Sequence, residues 1–232
     1  MILDDVACIL AMTTRSKAYV CEMIKQQILP SFFLVMAQKE EFTMEKEKER
    51  DENTCFESAK TMQQLLDKSK VPYEVVETKD INGELMYQKI KELNQNYLIY
   101  SGYGGAILKP FLFQLGKKFL HVHAGVLPKY RGSTTAYYSL LEKNKIGATA
   151  IFLEKEIDAG KIVTSEVFPP PEDRTTIDYY YEPYVRARVL AKALKLYVEA
   201  GEFPETSQAE GAETYYIIHP VLKHIAIMMK EE

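Results

Sequence analysis

Residues 119–163 read FLHVHAGVLPKYRGSTTAYYSLLEKNKIGATAIFLEKEIDAGKIV, and this stretch decides the fold prediction. It opens with an apolar run that carries His121 and His123, two of the four histidines of the chain. Because side chains alternate across a strand, residues two apart lie on the same face. Two imidazoles therefore point the same way from the end of a buried strand, where open α/β sheets keep their chemistry.

On both sides of this stretch, short apolar runs alternate with segments of helical spacing. Such alternation is typical of an α/β fold with a mostly parallel, Rossmann-like sheet flanked by helices. The apolar runs predict strands over 6–12, 32–37, 73–76, 97–100, 119–123, 149–153 and 162–168. The helical spacing predicts helices over 17–27, 55–69, 85–93, 110–115, 134–143 and 177–198.

The last two predicted strands lie close together in sequence, which favours a hairpin and makes the sheet mixed. Pro169-Pro170-Pro171 follows as a stiff break. We therefore expect a catalytic domain over 1–168 and a C-terminal helical extension over 169–232 that packs on it. Pro183 is expected to kink the long helix of this extension or to split off its first turns.

The composition limits the classes of protein that fit. A chain of 232 residues with 47% hydrophobic content has a real core. Its net charge of −4, with scattered basic residues, argues against nucleic acid as a partner. No apolar run has the roughly 20 residues of a membrane span. The N-terminus looks like a first strand, and three cysteines without a CxxC motif indicate a cytoplasmic protein with reduced thiols.

His121, His123 and Asp158 form the candidate chemical group. A neutral imidazole accepts a proton near neutral pH, and a nearby carboxylate orients it and stabilises its charged form. A second donor could stabilise an oxyanion. These parts suit direct acyl-type transfer to an amine, since no serine or cysteine is positioned as a nucleophile. Two imidazoles and a carboxylate could also bind Zn²⁺, but without a further ligand we predict no metal.

The pattern His121-Val122-His123, then Leu127-Pro128-Lys129-Tyr130-Arg131-Gly132, then Asp158-Ala159-Gly160 resembles a known family. It is similar to the catalytic core of formyltransferases that use 10-formyltetrahydrofolate and act on methionyl-tRNA, glycinamide ribonucleotide or sugar nucleotides. The resemblance extends from about residue 97 to 168 and is loose over the N-terminal strands. It implies a formyltransferase-like fold and an enzyme that takes its one-carbon group from 10-formyltetrahydrofolate.

The resemblance also implies roles for individual residues. His123 would act as the base, Asp158 would orient it or relay the proton, and His121 would hold the oxyanion. Substrate contacts would come from Lys129, Tyr130 and Arg131, of which the two cations could meet a phosphate or carboxylate. Donor binding would fall on Gly102, Tyr103, Ala106, Ile107, Leu108, Leu153, Glu154 and Ile157, although Glu154 alone is typical of a solvated loop.

His121 stands where the family carries asparagine, the residue that helps to bind the formyl oxygen. Loss of an oxyanion donor costs about 10²–10³ in rate. Three alternatives stay open: an altered but active formyltransferase, a relative with another one-carbon transfer, and an inactive folate- or nucleotide-binding relative. A metal-dependent formyl hydrolase is a further class.

The length of the chain favours a small-molecule amine over a tRNA, and an amino sugar on a nucleotide is the first choice. Three other features receive plainer interpretations. The charged stretch 39–54 predicts a solvated loop or exposed helix. Ser133 is expected to cap the helix over 134–143. The tail YYIIHPVLKHIAI at 215–227 is apolar enough for core packing or for the contact of a homodimer.

Overall fold

The computed structural model describes residues 1–48, 55–209 and 213–229. The chain forms two compact units, Met1–His121 and Val122–Glu232. Their boundary falls inside one strand, directly after His121. The domain boundary expected at residue 168 stays a prediction.

The first unit is built on parallel strands. These are β1 (Ile2–Ala11), β2 (Leu29–Met36), β3 (Tyr73–Val76), β4 (Tyr97–Ser101) and β5 (Lys118–His123), the last of which crosses the unit boundary. β1 lies between β2 and β4, β3 pairs with β2, and β5 pairs with β4. The second half of β1 is fully buried, as its unbroken apolar sequence predicts for a central parallel strand.

Thr13 and Thr61 each begin a helix of the first unit, because their side chains accept a hydrogen bond from a free N–H of the first turn. The helices of this unit are α1 (Thr14–Gln26), α2 (Lys39–Thr43), α3 (Met62–Ser69), α4 (Glu84–Glu92) and α5 (Pro110–Phe113). A capping box of Thr61 and Gln64 starts α3. The helix predicted over 55–69 was therefore too long at its beginning, because the cap at Thr61 sets the first turn.

The charged stretch is described up to residue 48, and its residues 49–54 lie outside the described part of the chain. It begins with the short, largely exposed helix α2, as predicted. Glu45 is not merely solvated, since its carboxylate lies 2.6 Å from Lys17 Nζ and accepts a 2.7 Å hydrogen bond from Met62 N. These contacts tie the stretch to α1 and to the start of α3.

The second unit joins a strand pair to helices. Its elements are β6 (Arg131–Gly132), α6 (Thr135–Lys143), β7 (Ile146–Phe152), β8 (Ile162–Phe168), α7 (Glu182–Ala200), β9 (Thr214–Tyr215) and α8 (Pro220–Met228). β7 and β8 are antiparallel, which confirms the predicted hairpin, and α7 packs on both. A separate short pair joins β6 to β9 in parallel.

The strand order of the sheet is β3-β2-β1-β4-β5-β7-β8. Four strand pairs of the first unit are parallel and the final pair is antiparallel. The predicted fold class, a mixed and mostly parallel α/β sheet flanked by helices, is confirmed.

Two helix beginnings in the second unit depend on local geometry. Thr134, not Ser133, precedes α6, with a left-handed φ of 53° and no side-chain cap. The predicted cap at Ser133 was wrong because the helix begins one residue later than predicted, and the Ser133 N–H donates to Tyr215 O at 2.9 Å. Before α7, residues Ile177–Tyr181 form a π-helix, and Pro183 lies in the first turn of the α-helix, as its missing N–H favours.

The C-terminal tail forms β9 and α8, in agreement with a strand followed by a short helix. Its apolar residues are mostly exposed, with Tyr216 and Ile217 at 79% and Val221 at 59%. The interpretation of this tail as core packing was therefore wrong for these residues, while a homodimer contact stays a prediction. None of the described helices is long and apolar enough to cross a membrane.

Candidate active site

His123 and Asp158 meet inside the second unit. His123 lies at the end of β5, and Asp158 lies in the loop between β7 and β8. The ring Nδ1 of His123 is 3.3 Å from Asp158 Oδ1, and the His123 residue is only 5% exposed. The two residues that the motifs selected as base and partner are therefore in contact and shielded from water.

The second ring nitrogen of His123 is also engaged. Its Nε2 donates to the Tyr130 carbonyl at 2.6 Å, with the Thr135 hydroxyl 3.4 Å away. A carbonyl oxygen only accepts, so Nε2 must carry a hydrogen. The Nδ1–Asp158 contact then requires one further proton, either on the imidazole or on the carboxyl. The pair is built to hold a single proton between two groups.

The backbone around Asp158 fixes the direction of its carboxylate. Asp158 Oδ2 accepts a 2.9 Å hydrogen bond from Gly132 N, in the turn that follows β5. Asp158 itself has a left-handed φ of 53°, which costs a non-glycine residue roughly 1–2 kcal/mol and persists only where neighbours hold it. Gly160 is one such neighbour, because a Cβ there would lie 1.7 Å from the Phe152 carbonyl oxygen.

The turn that carries the predicted substrate contacts is bonded internally. The ammonium of Lys129 pairs with Glu142, and the Tyr130 hydroxyl donates to the same carboxylate at 2.8 Å. The pair raises the pKa of Lys129 and, through the hydrogen bond from Lys129, lowers that of Glu142. Arg131 Nη2 donates to Gln208 Oε1 at 2.8 Å. The roles of these three residues in substrate binding stay a prediction.

Gln208 and Thr135 belong to these contacts but were missed in the sequence. Gln208 contacts both Arg131 and the loop of Asp158, and Thr135 lies beside His123. Gln208 stands in no motif and in no periodic segment, whereas Thr135 lies in the helix predicted over 134–143, whose spacing does not indicate a contact with His123. Only the position of the chain after α7 brings Gln208 to this place.

His121 belongs to the first unit. Its Nδ1 lies 3.2 Å from the Tyr100 carbonyl oxygen, which can only accept, so Nδ1 is the protonated nitrogen. In the neutral ring Nε2 is therefore an acceptor, and His121 can donate from Nε2 only as an imidazolium. An asparagine amide would donate regardless of pH.

The segment predicted to bind the donor follows β4 in the first unit. Arg15 braces its beginning, since Nε donates to Ser101 Oγ at 3.1 Å and the guanidinium also donates to the Gly102 carbonyl. The Tyr103 hydroxyl donates to Met36 O at 2.9 Å, and Asn82 Nδ2 donates to Ile107 O at 2.9 Å. The segment is held at both ends while its middle is open.

The open part of this segment is centred on two glycines. A Cβ at Gly104 or Gly105 would meet no atom within 4 Å. Ile107 is 59% exposed, whereas Leu108 is buried. The side chain beneath Gly102 is Tyr100, whose buried hydroxyl has no hydrogen-bond partner among the described residues and whose pKa is raised to about 12 by burial. Exposed backbone beside an apolar side chain is a surface on which a flat ring can lie.

The remaining predicted donor contacts lie in the β7–β8 loop of the second unit. Leu153 is half-buried, while Glu154 and Ile157 are exposed, the latter at 61%. Among the described residues, no three His, Cys, Asp or Glu side chains are grouped so that they could hold a metal ion.

Comparison with known proteins gives a family. The family model described as "Formyl transferase" matches residues 6–199. The methionyl-tRNA formyltransferase of Finegoldia magna is 36% identical over 91 residues, which are 39% of this chain and 29% of that protein. The same-named protein of Caldanaerobacter subterraneus subsp. tengcongensis is 27% identical over 146 residues, 62% and 47% respectively. The chain thus spans less than half the length of these relatives.

Solved structures share the fold. HypX from Aquifex aeolicus in complex with tetrahydrofolic acid has a TM-score of 0.58 at 15% identity, over 94% of this chain and 30% of that chain. An N-formyltransferase from Helicobacter canadensis, in complex with folinic acid and dTDP-3-aminofucose, has a TM-score of 0.58 at 16% identity, over 92% and 71%.

Proposed function

Because this chain belongs to the formyl transferase family, we propose that it transfers a formyl group from 10-formyltetrahydrofolate to a primary amine of a small substrate. The observation that carries the proposal is the His123–Asp158 contact of 3.3 Å, enclosed by the turn after β5. A base with a fixed carboxylate partner is what removal of a proton from an amine needs.

The chain offers residues that fit the donor. When bound, 10-formyltetrahydrofolate supplies an activated formyl group. In the first unit, the open backbone at Gly104 and Gly105 and the exposed Ile107 suit a flat, partly apolar ring system. The HypX and Helicobacter canadensis structures were solved with tetrahydrofolic acid and folinic acid, which supports a folate for this chain.

His123 and Asp158 would manage the proton. An amine that becomes an amide loses one proton, which must be held until it leaves with the spent donor. His123 takes it up at Nδ1, where Asp158 Oδ1 stabilises the charged ring, because Nε2 already carries the hydrogen that it donates to the Tyr130 carbonyl. The hydrogen bond from Gly132 N to Asp158 Oδ2 keeps Oδ1, the other carboxylate oxygen, turned toward the histidine.

His121 would bind the formyl oxygen. Its Nδ1–H is committed to the Tyr100 carbonyl, so donation from Nε2 requires the protonated ring. Charged donors form the stronger hydrogen bonds, which suits an oxygen that gains negative charge. The substitution of the family asparagine then links activity to the protonation of His121.

For the acceptor we favour an amino sugar carried on a nucleotide. Arg131 and Lys129 supply positive charge on the turn beside His123, and phosphates are natural partners for such groups. The Helicobacter canadensis structure contains dTDP-3-aminofucose, which supports this class of acceptor. The longer relatives are named methionyl-tRNA formyltransferases, so charged tRNA is the acceptor to compare.

A second candidate is a folate- or nucleotide-binding relative without catalysis. It is favoured by His121, whose neutral ring presents an acceptor where the reaction needs a donor. The two candidates differ in one measurable property, since the second binds the donor and never transfers the formyl group.

The test incubates the purified protein with 10-formyltetrahydrofolate and three acceptors: a dTDP-linked amino sugar, glycinamide ribonucleotide and methionyl-tRNA. We expect formyl transfer to the amino sugar, reduced at least about 100-fold by His123→Ala. His224→Ala removes an exposed histidine of α8 and serves as the matched control. Folate binding without transfer to any acceptor, together with activity gained on His121→Asn, would establish the non-catalytic candidate instead.

A further inference from the structure

Gln208 links two parts of the second unit that the proposed reaction needs. Its Nε2 donates to the Asp158 carbonyl at 2.8 Å and to the Gly160 carbonyl at 2.7 Å. Its Oε1 accepts from Arg131 Nε at 3.3 Å and Nη2 at 2.8 Å. One side chain thus joins the loop of the carboxylate to the turn that follows His123.

The hydrogen-bonding capacity of the amide is fully used. A glutamine has two N–H donors and an oxygen with two lone pairs, and all four are matched here. No other residue type provides this set at the same length, since glutamate has no donor and asparagine is one methylene shorter. The half-buried position of Gln208 makes these bonds stronger than they would be in water.

The chain around Gln208 is itself anchored. Thr206 exchanges two backbone hydrogen bonds of 2.8 Å with Ile162 at the start of β8. Phe203 is buried against Phe152 and Tyr197. The amide therefore extends from a fixed backbone and can restrain what it contacts.

The restrained loop needs such support. Asp158 adopts a left-handed backbone, and Gln208 binds the carbonyl of this same residue. If that carbonyl turned, the carboxylate would turn with it, away from His123 Nδ1 and Gly132 N. Gln208 touches neither ring nor carboxylate of the pair, so its effect on them must pass through the backbone.

We propose that Gln208 is a positioning residue that sets the orientation of the Asp158 carboxylate toward His123 and couples it to Arg131. This inference rests on the proposed function for its catalytic meaning. Gln208 lies beyond residues 6–199, the part matched by the family model, so its role follows from the contacts alone.

Two variants separate the two arms of the side chain. Gln208→Glu keeps the length and the acceptor for Arg131 but removes both donors to the loop. Gln208→Ala removes both arms. Glu205→Gln is the matched control on the same segment, because it keeps the length of the side chain and removes the charge that pairs with Lys161 in a partly exposed ion pair.

The first measurement does not depend on turnover. Backbone amide exchange of Gly132 reports the position of Asp158 Oδ2, and the ring ¹⁵N signals of His123 report its contact with Oδ1. We expect Gly132 exchange to become roughly five- to tenfold faster in both Gln208 variants, as for loss of one hydrogen bond, with shifted His123 signals. Glu205→Gln should match the wild-type protein.

The second measurement is formyl transfer. In both Gln208 variants kcat should fall roughly 10- to 100-fold, the usual effect of removing an outer partner of a site. KM for the acceptor should rise further in Gln208→Ala, which alone releases Arg131.

A lowered melting temperature with unchanged Gly132 exchange and unchanged His123 signals would overturn the inference, leaving Gln208 a merely structural residue. The same result would follow if Glu205→Gln changed these signals equally. Absence of transfer in the wild-type protein would instead count against the proposed function, because the two spectroscopic readouts would still judge the positioning role.

Discussion

Two loops of this protein differ in the space around their glycines, which is filled by neighbouring backbone in one loop and open in the other. In the β7–β8 loop, a Cβ at Gly160 would lie 1.7 Å from the carbonyl oxygen of Phe152. In the segment after β4, Gly104 and Gly105 face open space. The first loop uses glycine to bring its backbone close against the end of β7. The second uses it to leave backbone uncovered.

The difference separates two requirements of a transferase. A group that handles protons must be held within a fraction of an ångström, whereas a surface that receives a large ring must stay accessible. Hydrogen bonds fix the Asp158 loop from the Gly132 amide and the Gln208 side chain. The segment after β4 is braced by Arg15, the Tyr103 hydroxyl and Asn82, while Gly104 and Gly105 between these contacts stay uncovered.

The largest expected effect comes from removing the charge of the fixed loop. In Asp158→Asn the amide keeps the shape and still accepts from Gly132 N, but it cannot hold the proton with His123. We expect kcat to fall roughly 10³–10⁴-fold, as in other histidine–carboxylate pairs, at unchanged stability. Glu156→Gln in the same loop is the control for charge. An Asp158→Asn enzyme with near-normal kcat would remove the proposed role of this carboxylate.

The difference in packing can be tested by adding one methyl group to each loop. Gly160→Ala should lower the free energy of unfolding by about 3 kcal/mol, because the Phe152 carbonyl belongs to β7 and cannot yield. Gly104→Ala should change it by less than about 0.5 kcal/mol, since the site is open and lacks a positive φ. Urea denaturation of both variants measures the contrast. Equal losses would show that the two loops do not differ in packing.

In the first unit, the residue to test is His121, the proposed donor to the formyl oxygen. In the wild-type protein, activity should decline as pH rises, since the neutral His121 ring presents an acceptor at Nε2. His121→Asn should flatten this decline and raise kcat at about pH 8 by roughly tenfold. The measurement is the pH dependence of kcat in both proteins. A profile that is unchanged by the substitution would exclude His121 as the donor.

The smallest expected effect concerns the exposed turn. Glu142 holds Lys129, so Glu142→Gln should release the ammonium and lower KM for a phosphate-bearing acceptor about two- to threefold. High salt should abolish the gain, because exposed charges are screened. If KM rises instead, Lys129 acts through its pairing with Glu142 and not as a substrate contact.

The apolar runs in the sequence predicted the strands of the fold. The strands predicted over 73–76 and 162–168 have the observed bounds, and the others differ by a few residues, because short runs rich in apolar and β-branched residues favour strands. Helix beginnings were less predictable. Thr61 starts α3 through a capping box, and Ser133 is diverted to Tyr215, a partner over 80 positions away in the chain.

The candidate site was readable only in part. The motifs selected the family, which is confirmed, and picked out His123 and Asp158, which lie in contact. The catalytic roles of these residues stay a prediction. The partners of Lys129 and Arg131 could not be foreseen, because exposed cations pair with whatever acceptor the tertiary structure brings near. Gln208 accepts from Arg131, and no sequence pattern marks it, because this contact depends on where the chain after α7 lies.

The pairing of β6 with β9 bears on where a domain should be cut. The match to the family model ends at residue 199, yet position 132 has no room for a Cβ because the chain returns as Tyr215, whose carbonyl oxygen would lie 2.1 Å from it. A fragment that ends at 199 would keep every residue of the recognised motifs and lose the backbone that holds their central turn. The part of the chain that matches the family model, residues 6–199, is thus shorter than the part that must fold together, which includes β9.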